Sequence, residues 1–311
     1  MPHHVVLGAG GIGRATASRL VGLGQRVTLV SRSGRDPRLP GVTAVSADAA
    51  DADSLARLAH GAASIVNAVN PPKYTTWERD WPPVARAVLE AVERSGAGLV
   101  TVSNLYGYGP VSGSMREDLE LRPQGHKGRL RAQMWVDALV LHQSGRIKAT
   151  ELRASDYFGR GATRGASVLN DFVIRRAAVG RAPVVPMGRP DAPHSWTYLA
   201  DIGELAATLA TDDRSWGKVW HVPSAPPRTM QEVAADVAAL TGQAVRPVRV
   251  VPRSVGTALG AVLPIMRELR ETRHQFERPF VLDSSVAQEA FGLQPTPWDV
   301  ALKDTVEALA S

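Results

Sequence analysis

The feature that most constrains the fold is a glycine-rich turn near the N-terminus. Residues 5–13 read Val-Val-Leu-Gly-Ala-Gly-Gly-Ile-Gly, which places G-x-G-x-x-G between a strand predicted over His4–Leu7 and a helix predicted over Ile12–Leu23. Such glycines permit a tight turn, let the backbone approach a phosphate, and let helix and strand pack closely. The free N–H groups of the helix N-terminus then favour a pyrophosphate. This context predicts a dinucleotide-binding Rossmann domain whose cofactor-binding residues include Gly8, Gly10, Gly11, Ile12 and Gly13.

Short β-branched runs alternate with helical runs through the first half of the chain, which is the pattern of parallel βαβ units. Further strands are predicted over Arg26–Val30, Val42–Val45, Ala63–Val69, Leu99–Ser103 and Ile147–Leu152. Helices are predicted over Asp51–His60, Val84–Ser95 and Leu130–Gln143. Six strands with right-handed crossovers predict an α/β fold with one doubly wound parallel Rossmann sheet.

After Arg153 glycine and proline become frequent and the alternation weakens. We expect an NADP-binding Rossmann domain formed by residues 1–153 with 194–222, its last strand at Lys218–Val222. A smaller, C-terminal substrate-binding domain is expected from residues 154–193 with 223–311. Asp201 is predicted to cap a helix over Ile202–Ala210, and Thr229 with Glu232 to form a capping box.

Composition limits the classes of function. The chain has 36 basic and 30 acidic residues, and its arginines are scattered instead of clustered with aromatic residues, so we expect no nucleic-acid partner. There is no cysteine, which excludes thiolate catalysis and cysteine-ligated metals, and we expect no metal site. The longest apolar stretch, Val255–Met266, is too short to span a bilayer. A cytoplasmic monomer or homodimer acting on a small molecule is expected.

The residues after the second strand favour NADP over NAD. NAD-preferring sites usually carry an acidic residue there, whereas this chain has Ser31-Arg32-Ser33-Gly34-Arg35. Ser31, Arg32 and Arg35 are therefore predicted to hold a 2′-phosphate, the alternative being two solvated loop arginines. Further cofactor contacts are predicted from topology at Asp48, Asn67, Ala68 and Asn70, although the polar residues among them are equally good turn formers.

Four segments, in order, resemble the extended, epimerase/dehydratase-like branch of the short-chain dehydrogenase/reductases. Leu99–Pro110 (LVTVSNLYGYGP) is similar to the family's VxxSSxxxYG, and Leu152–Gly161 to its RPxxxYGPG. His194–Asp201 resembles the loop before the next helix, and Leu282–Pro295 the C-terminal signature. The resemblance covers nearly the whole chain and implies the same fold and an NAD(P)-dependent oxidoreductase.

The catalytic residues of that family are replaced here. Alignment on Tyr108-Gly109 places Asn104 at the position of the catalytic serine, and Lys127 and Arg131 at those of the Tyr-x-x-x-Lys pair. The chain thus resembles the atypical members, which keep the cofactor site while the catalytic residues differ. Arg131 could hold a ribose hydroxyl and Asn104 could orient a carbonyl. Lys127 could transfer the proton if a neighbouring cation and burial tune it; the other candidate donors are His126, Tyr106, Tyr108 and Tyr157.

Aromatic residues follow two of the predicted strands, at the edge of the sheet where open α/β folds bind ligands. These residues are Tyr74 and Trp77, then Tyr157 and Phe158. They predict a rather apolar pocket, which disfavours sugar nucleotides. The sequence therefore predicts an NADPH-dependent reductase of a small to medium carbonyl, enone or imine, and a role in specialised metabolism would suit such an enzyme. Its predicted catalytic residues are Lys127, Asn104, Arg131 and Tyr157. Two alternatives stay open: a catalytically silent redox-sensing regulator, and a non-redox isomerase or cyclase.

Overall fold

The computed structural model describes residues 1–71, 73–252 and 271–310. Its strands are β1 (His3–Leu7), β2 (Arg26–Ser31), β3 (Val42–Ser46), β4 (Ser64–Asn67), β5 (Gly98–Asn104), β6 (Ser114–Met115), β7 (Ala149–Ala154), β8 (Tyr157–Phe158), β9 (Val184–Val185), β10 (Thr197–Tyr198), β11 (Val219–His221), β12 (Arg249–Val250) and β13 (Val281–Leu282). Its helices are α1 (Gly11–Gly22), α2 (Ala52–Leu58), α3 (Trp77–Ser95), α4 (Gly125–Gln143), α5 (Arg175–Ala177), α6 (Leu199–Thr211), α7 (Met230–Thr241), α8 (His274–Glu277), α9 (Ser285–Phe291) and α10 (Trp298–Ala310).

Seven parallel strands form the central sheet, in the order β11-β7-β5-β4-β1-β2-β3. The strand order reverses between β1 and β4, which is the switch point where sheets of this kind bind ligands at the carboxyl ends of their strands. The predicted doubly wound parallel sheet is confirmed. The strand predicted at Lys218–Val222 is also in it, as the edge strand β11, paired with β7.

Helices cover both faces of this sheet because its side chains alternate between two apolar cores. Val6 belongs to one core with residues of α1 and α6, whereas Val5 and Leu7 belong to the other with residues of α2, α3 and α4. A third core joins α7 and α10 to a π-helical segment at Leu169–Ile174. The division into two domains at the predicted boundaries stays a prediction.

Helices α3 and α4 begin more than one helical turn before the positions that the sequence predicted. Helix α3 begins at Trp77 and not at Val84, although Pro82 and Pro83 lack the N–H groups of its first turns. Trp77 and Trp81 are buried there at 1% and 0% exposure, so packing compensates for the missing hydrogen bonds. Helix α4 begins at Gly125 and not at Leu130.

Local capping signals gave one correct and one wrong prediction. The Thr229–Glu232 capping box is confirmed. Asp201 lies inside α6 and not at its start, and its carboxylate accepts hydrogen bonds from Thr296 instead.

The apolar stretch Val255–Met266 lies outside the described residues. Within the described part of the chain, no helix is long and apolar enough to cross a membrane.

Candidate functional site

The glycine-rich turn connects β1 to α1 with the geometry that an anion-binding loop needs. Gly8 has φ +98°, and a side chain there would lie 2.8 Å from the carbonyl oxygen of Ala68. A side chain on Gly13 would overlap the carbonyl oxygen of Gly8, whereas one on Gly10 would meet nothing within 4 Å. Gly10 is the N-cap of α1 and supplies no capping side chain, so the helix N-terminus presents bare N–H groups. These residues fit the pyrophosphate of a dinucleotide.

The turn after β2 carries two arginines into solvent. The backbone N–H of Gly34 donates to Ser31 Oγ at 3.1 Å, and Gly34 has φ +60°. Arg32 and Arg35 are exposed, and neither side chain makes a hydrogen bond or ion pair to any described residue. Their guanidinium groups are therefore available to an anionic ligand.

The other predicted cofactor residues follow β3 and β4. Asp48 is exposed and its Oδ1 accepts from Ala50 N at 2.9 Å, as in a local turn. Asn67 is buried and its Oδ1 accepts from the backbone N–H of Val69. Ala68 packs against Gly8, and Asn70 Oδ1 accepts from Arg131 Nη2 at 3.2 Å. The segment from Ala68 to Asn70 thus joins the glycine turn to helix α4.

Lys127 lies in the first turn of α4 and is 1% exposed. Its Nζ lies 3.5 Å from Glu271 Oε2 and 5.0 Å from the ring centroid of Tyr74. Its backbone N–H donates to Glu271 Oε1 at 2.7 Å. Lys127 is therefore a buried cation, enclosed in part by a carboxylate and an aromatic ring.

Arg131, one helical turn later, is also buried. Its guanidinium carbon lies 5.1 Å from the ring centroid of Trp77 and 4.3 Å from that of Trp81, so it contacts two indoles. Its Nη1 donates to the carbonyl oxygen of Val102, and its Nη2 to Asn70. Burial lowers the pKa of Arg131 to about 10, which leaves the group cationic at neutral pH. Arg131 therefore supplies positive charge beside Asn70.

Three tyrosines gather beside these cations. The Tyr74 and Tyr106 hydroxyls lie 3.2 Å apart, and burial raises the pKa of both, that of Tyr106 well above the usual value. Burial, with smaller effects from Tyr74 and Asp156, raises the pKa of Tyr157 to about 12. All three side chains are half-buried and stay neutral at physiological pH, so each retains a proton that it could donate.

Asn104 ends β5 next to this cluster. Its Oδ1 accepts from Tyr106 N at 3.1 Å, and among the described residues none accepts from its Nδ2. Its amide N–H groups are thus available to a carbonyl oxygen of a ligand.

Three residues that the sequence predicted for the site are buried outside or beneath it. The Tyr108 hydroxyl contacts His221 and its ring lies under Arg153, in a buried network outside the tyrosine cluster. Phe158, predicted to line the pocket, is 1% exposed and packs against Tyr198 and Trp298 in the third core. Trp77 is likewise buried beneath the site and not exposed to a ligand.

The sequence did not predict three neighbours of the site. Glu271 contacts α4 across 144 positions, and Trp81 packs on Arg131. Asp156 Oδ2 lies 3.0 Å from His194 Nε2, with the His194 ring stacked on Trp196. No local pattern signals the contact with Glu271, whereas the spacing of Trp77 and Trp81 on one face of a helix could have signalled a stacking site.

In the ranges that the structure describes, no group of three or more His, Asp or Glu side chains is arranged to hold a metal ion.

Comparison with known proteins agrees with this architecture. The model of the NAD dependent epimerase/dehydratase family matches residues 4–222. The UDP-glucose 4-epimerase of Thermotoga maritima has a TM-score of 0.81 at 18% identity, covering 99% of this chain and 98% of that chain. The UDP-N-acetylglucosamine 4-epimerase of Methanobrevibacter ruminantium M1 has a TM-score of 0.82 at 16% identity, with coverage of 99% and 98%. The dTDP-glucose 4,6-dehydratase of Bacillus anthracis str. Ames has a TM-score of 0.79 at 15% identity, with coverage of 100% and 97%.

No curated protein sequence matches this chain. At identities this low, the solved structures support the fold and carry no substrate assignment. The resemblance to extended short-chain dehydrogenase/reductases is confirmed.

Proposed function

The chain belongs to the NAD-dependent epimerase/dehydratase family, whose enzymes use a nicotinamide dinucleotide, and we propose that it is an NADPH-dependent reductase. Its substrate is a small to medium, rather apolar carbonyl, enone or imine. The observation that carries this proposal is the cluster of Lys127, Arg131, Tyr74 and Tyr106, which Asn70 and Ala68 connect to the bare glycine turn.

The choice of NADPH rests on the turn after β2. Arg32 and Arg35 are exposed, and their guanidinium groups make no ion pair within the described ranges, so a 2′-phosphate would not have to displace a carboxylate. A guanidinium binds phosphate through paired, charge-assisted hydrogen bonds. Ser31 Oγ holds this turn through Gly34, and the bare N-terminus of α1 receives the pyrophosphate.

When bound, the dinucleotide supplies the hydride that the substrate carbon accepts. Asn104 orients the substrate carbonyl through its Nδ2, and Lys127 gives a proton to the oxygen. Arg131 holds a ribose hydroxyl, and Tyr157 lines the substrate pocket. Because Nζ is enclosed beside the Tyr74 ring, this role requires the Tyr74 side chain to turn aside as the substrate enters.

The apolar substrate class is supported by the side chains at the carboxyl ends of the strands. Tyr74, Tyr106 and Tyr157 are aromatic, and the charged groups near them are the cations Lys127 and Arg131 and the carboxylate of Asp156. The aromatic rings favour an apolar substrate, and Asp156 would oppose a diphosphate placed beside it. Two of the solved structures named above are complexes with UDP-linked ligands, UDP-glucose and UDP-N-acetylmuramic acid, and we propose that this protein does not take that class of substrate. We further propose that the protein acts as a monomer or homodimer in the cytoplasm.

A substrate panel tests the proposal. The protein is incubated with NADPH and with aldehydes, ketones, enones or imines, and the oxidation of NADPH is followed optically. We expect turnover with at least one aromatic aldehyde or enone. Tight binding of NADPH without any turnover would favour the redox-sensing regulator, and conversion of a panel member without net NADPH oxidation would favour an isomerase.

A further inference from the structure

A carboxylate from the C-terminal part of the chain, that of Glu271, contacts the N-terminus of α4. Glu271 Oε1 accepts from the backbone N–H of Lys127 at 2.7 Å. Glu271 Oε2 lies 2.9 Å from His126 Nδ1 and 3.5 Å from Lys127 Nζ. One oxygen atom therefore contacts both the imidazole and the ammonium.

The backbone of Gly125 makes room for this carboxylate. Gly125 has φ +80°, and a side chain there would overlap the carboxyl group of Glu271. Glycine satisfies both the left-handed backbone and the close approach. A carboxylate at a helix N-terminus is also favoured by the helix dipole. The position of Glu271 is thus fixed by the backbone of α4 as well as by its ion pairs.

Exposure increases stepwise along the three side chains. The side chain of Lys127 is 1% exposed, that of Glu271 13% and that of His126 28%. While Tyr74 covers Nζ, the enclosed ammonium has no direct contact with bulk water, so a proton that Lys127 has lost returns through a neighbouring group. Among the contacts that the structure describes for Lys127, the Tyr74 ring face offers no proton, whereas Glu271 leads through His126 toward solvent.

We propose that His126 and Glu271 form a proton relay that recharges Lys127 after each turnover. This rests on the proposed role of Lys127 as proton donor. When the substrate oxygen has taken a proton from Nζ, the His126 imidazolium passes its Nδ1 proton to Oε2 of the Glu271 carboxylate. The resulting neutral acid gives this proton to the Lys127 amine, and the imidazole takes a proton from water. Each turnover consumes one proton from water, and Glu271 ends as the carboxylate that it was. Glu271 also positions Lys127 through its backbone contact.

Proton exchange at Lys127 tests the relay without a substrate. The chain has five lysines, so isotope labelling of lysine lets NMR follow the Nζ protons of each in the NADPH-bound protein. We expect exchange at Lys127 to slow by about tenfold or more in His126→Ala and in Glu271→Gln, and added imidazole to restore it in His126→Ala. The amide of Glu271→Gln keeps an acceptor for the backbone N–H of Lys127, so helix α4 stays intact. His60→Ala and Glu289→Gln, both on exposed residues, are the controls.

Turnover of benzaldehyde provides a second measurement. His126→Ala should lower kcat about tenfold or more with KM nearly unchanged, and imidazole should restore it. Exchange rates at Lys127 that are equal in the parent and both variants would overturn the relay, whatever the turnover. Full turnover in Lys127→Ala would overturn the donor role instead, and the exchange rates would still report whether the path through Glu271 exists.

Discussion

The Tyr108 hydroxyl lies 2.8 Å from His221 Nε2, in a buried network on the sheet face that carries α4. His221 Nδ1 lies 2.7 Å from the carbonyl oxygen of Asp283, which can only accept, so Nδ1 carries the proton and Nε2 accepts from Tyr108. The neutral ring is therefore fully satisfied, and the nearby Arg153 guanidinium opposes a second proton.

This network predicts a loss of stability in acid. Burial, with a smaller effect from Arg153, lowers the pKa of His221 from 6.5 to about 4. Because the folded-state pKa is the lower one, its stabilising contribution is complete above pH 6.5 and is lost as the pH falls toward 4, by about 3 kcal/mol in total. Glutamine can replace both hydrogen bonds without titrating. We expect the free energy of unfolding of His221→Gln, measured by urea titration, to fall less between pH 7 and pH 4.5 than that of the parent.

His60→Gln is the control for that experiment, because His60 is exposed. Its unfolding should depend on pH as in the parent. Identical pH dependence in His221→Gln and the parent would show that His221 does not titrate in this way.

Gly10→Ala should abolish cofactor binding while leaving the fold intact. Gly10 has φ −73° and ψ −177°, which alanine adopts easily, and its added methyl group would meet nothing in the protein. That methyl group would occupy the space through which the backbone approaches a pyrophosphate. We expect NADPH affinity in calorimetry to fall at least about tenfold, or roughly 1.4 kcal/mol, with the melting temperature unchanged or slightly raised.

Gly22→Ala, at the other end of α1, is the matched control, since a side chain there also meets nothing within 4 Å. It should bind NADPH as the parent does. Gly13→Ala should instead destabilise the fold, because its methyl group would overlap the carbonyl oxygen of Gly8. Undiminished NADPH affinity in Gly10→Ala would place the pyrophosphate elsewhere.

Features of the fold and of the site that depend on contacts between nearby residues could be predicted from the sequence. Features that depend on contacts between distant residues could not. The glycine turn and the Thr229–Glu232 capping box depend on residues within a few positions of each other, and both were predictable. The start of α4 was not, because Glu271 accepts from its first turn across 144 positions. Sequence reasoning placed Phe158 in the pocket because it follows β7, but the third core, whose packing no local pattern reveals, buries it.

Arg32 should determine the preference for NADPH over NADH. One charge-assisted clamp on the 2′-phosphate is worth roughly 1–3 kcal/mol, so the parent should bind NADPH more tightly than NADH by that amount. Arg32→Ala should remove most of the difference, as measured by calorimetric titration with each cofactor. Arg26→Ala, exposed at the opposite end of β2, should leave it unchanged. Equal dissociation constants for both cofactors in the parent would contradict the assignment.

Replacement of Lys127 tests its role as the proton donor. If it donates the proton, Lys127→Ala should leave NADPH affinity nearly unchanged and lower turnover by ~10²–10⁴, the usual contribution of one general acid. Lys127→Arg should be nearly as inactive, because a guanidinium stays protonated and cannot cycle. Lys127→Tyr could restore part of the rate, with Arg131 as the neighbouring cation.

Lys73→Ala, on an exposed residue, is the control for charge alone and should keep the parent rate. Because removal of Lys127 leaves Glu271 without this cation, the melting temperature of Lys127→Ala must be measured alongside its rate. A folded Lys127→Ala protein with the full rate would exclude Lys127 as donor. The proton would then come from another group, and the neutral hydroxyls of Tyr74, Tyr106 and Tyr157 are the candidates in the same cluster. Phe substitutions at these three positions would identify which of them donates.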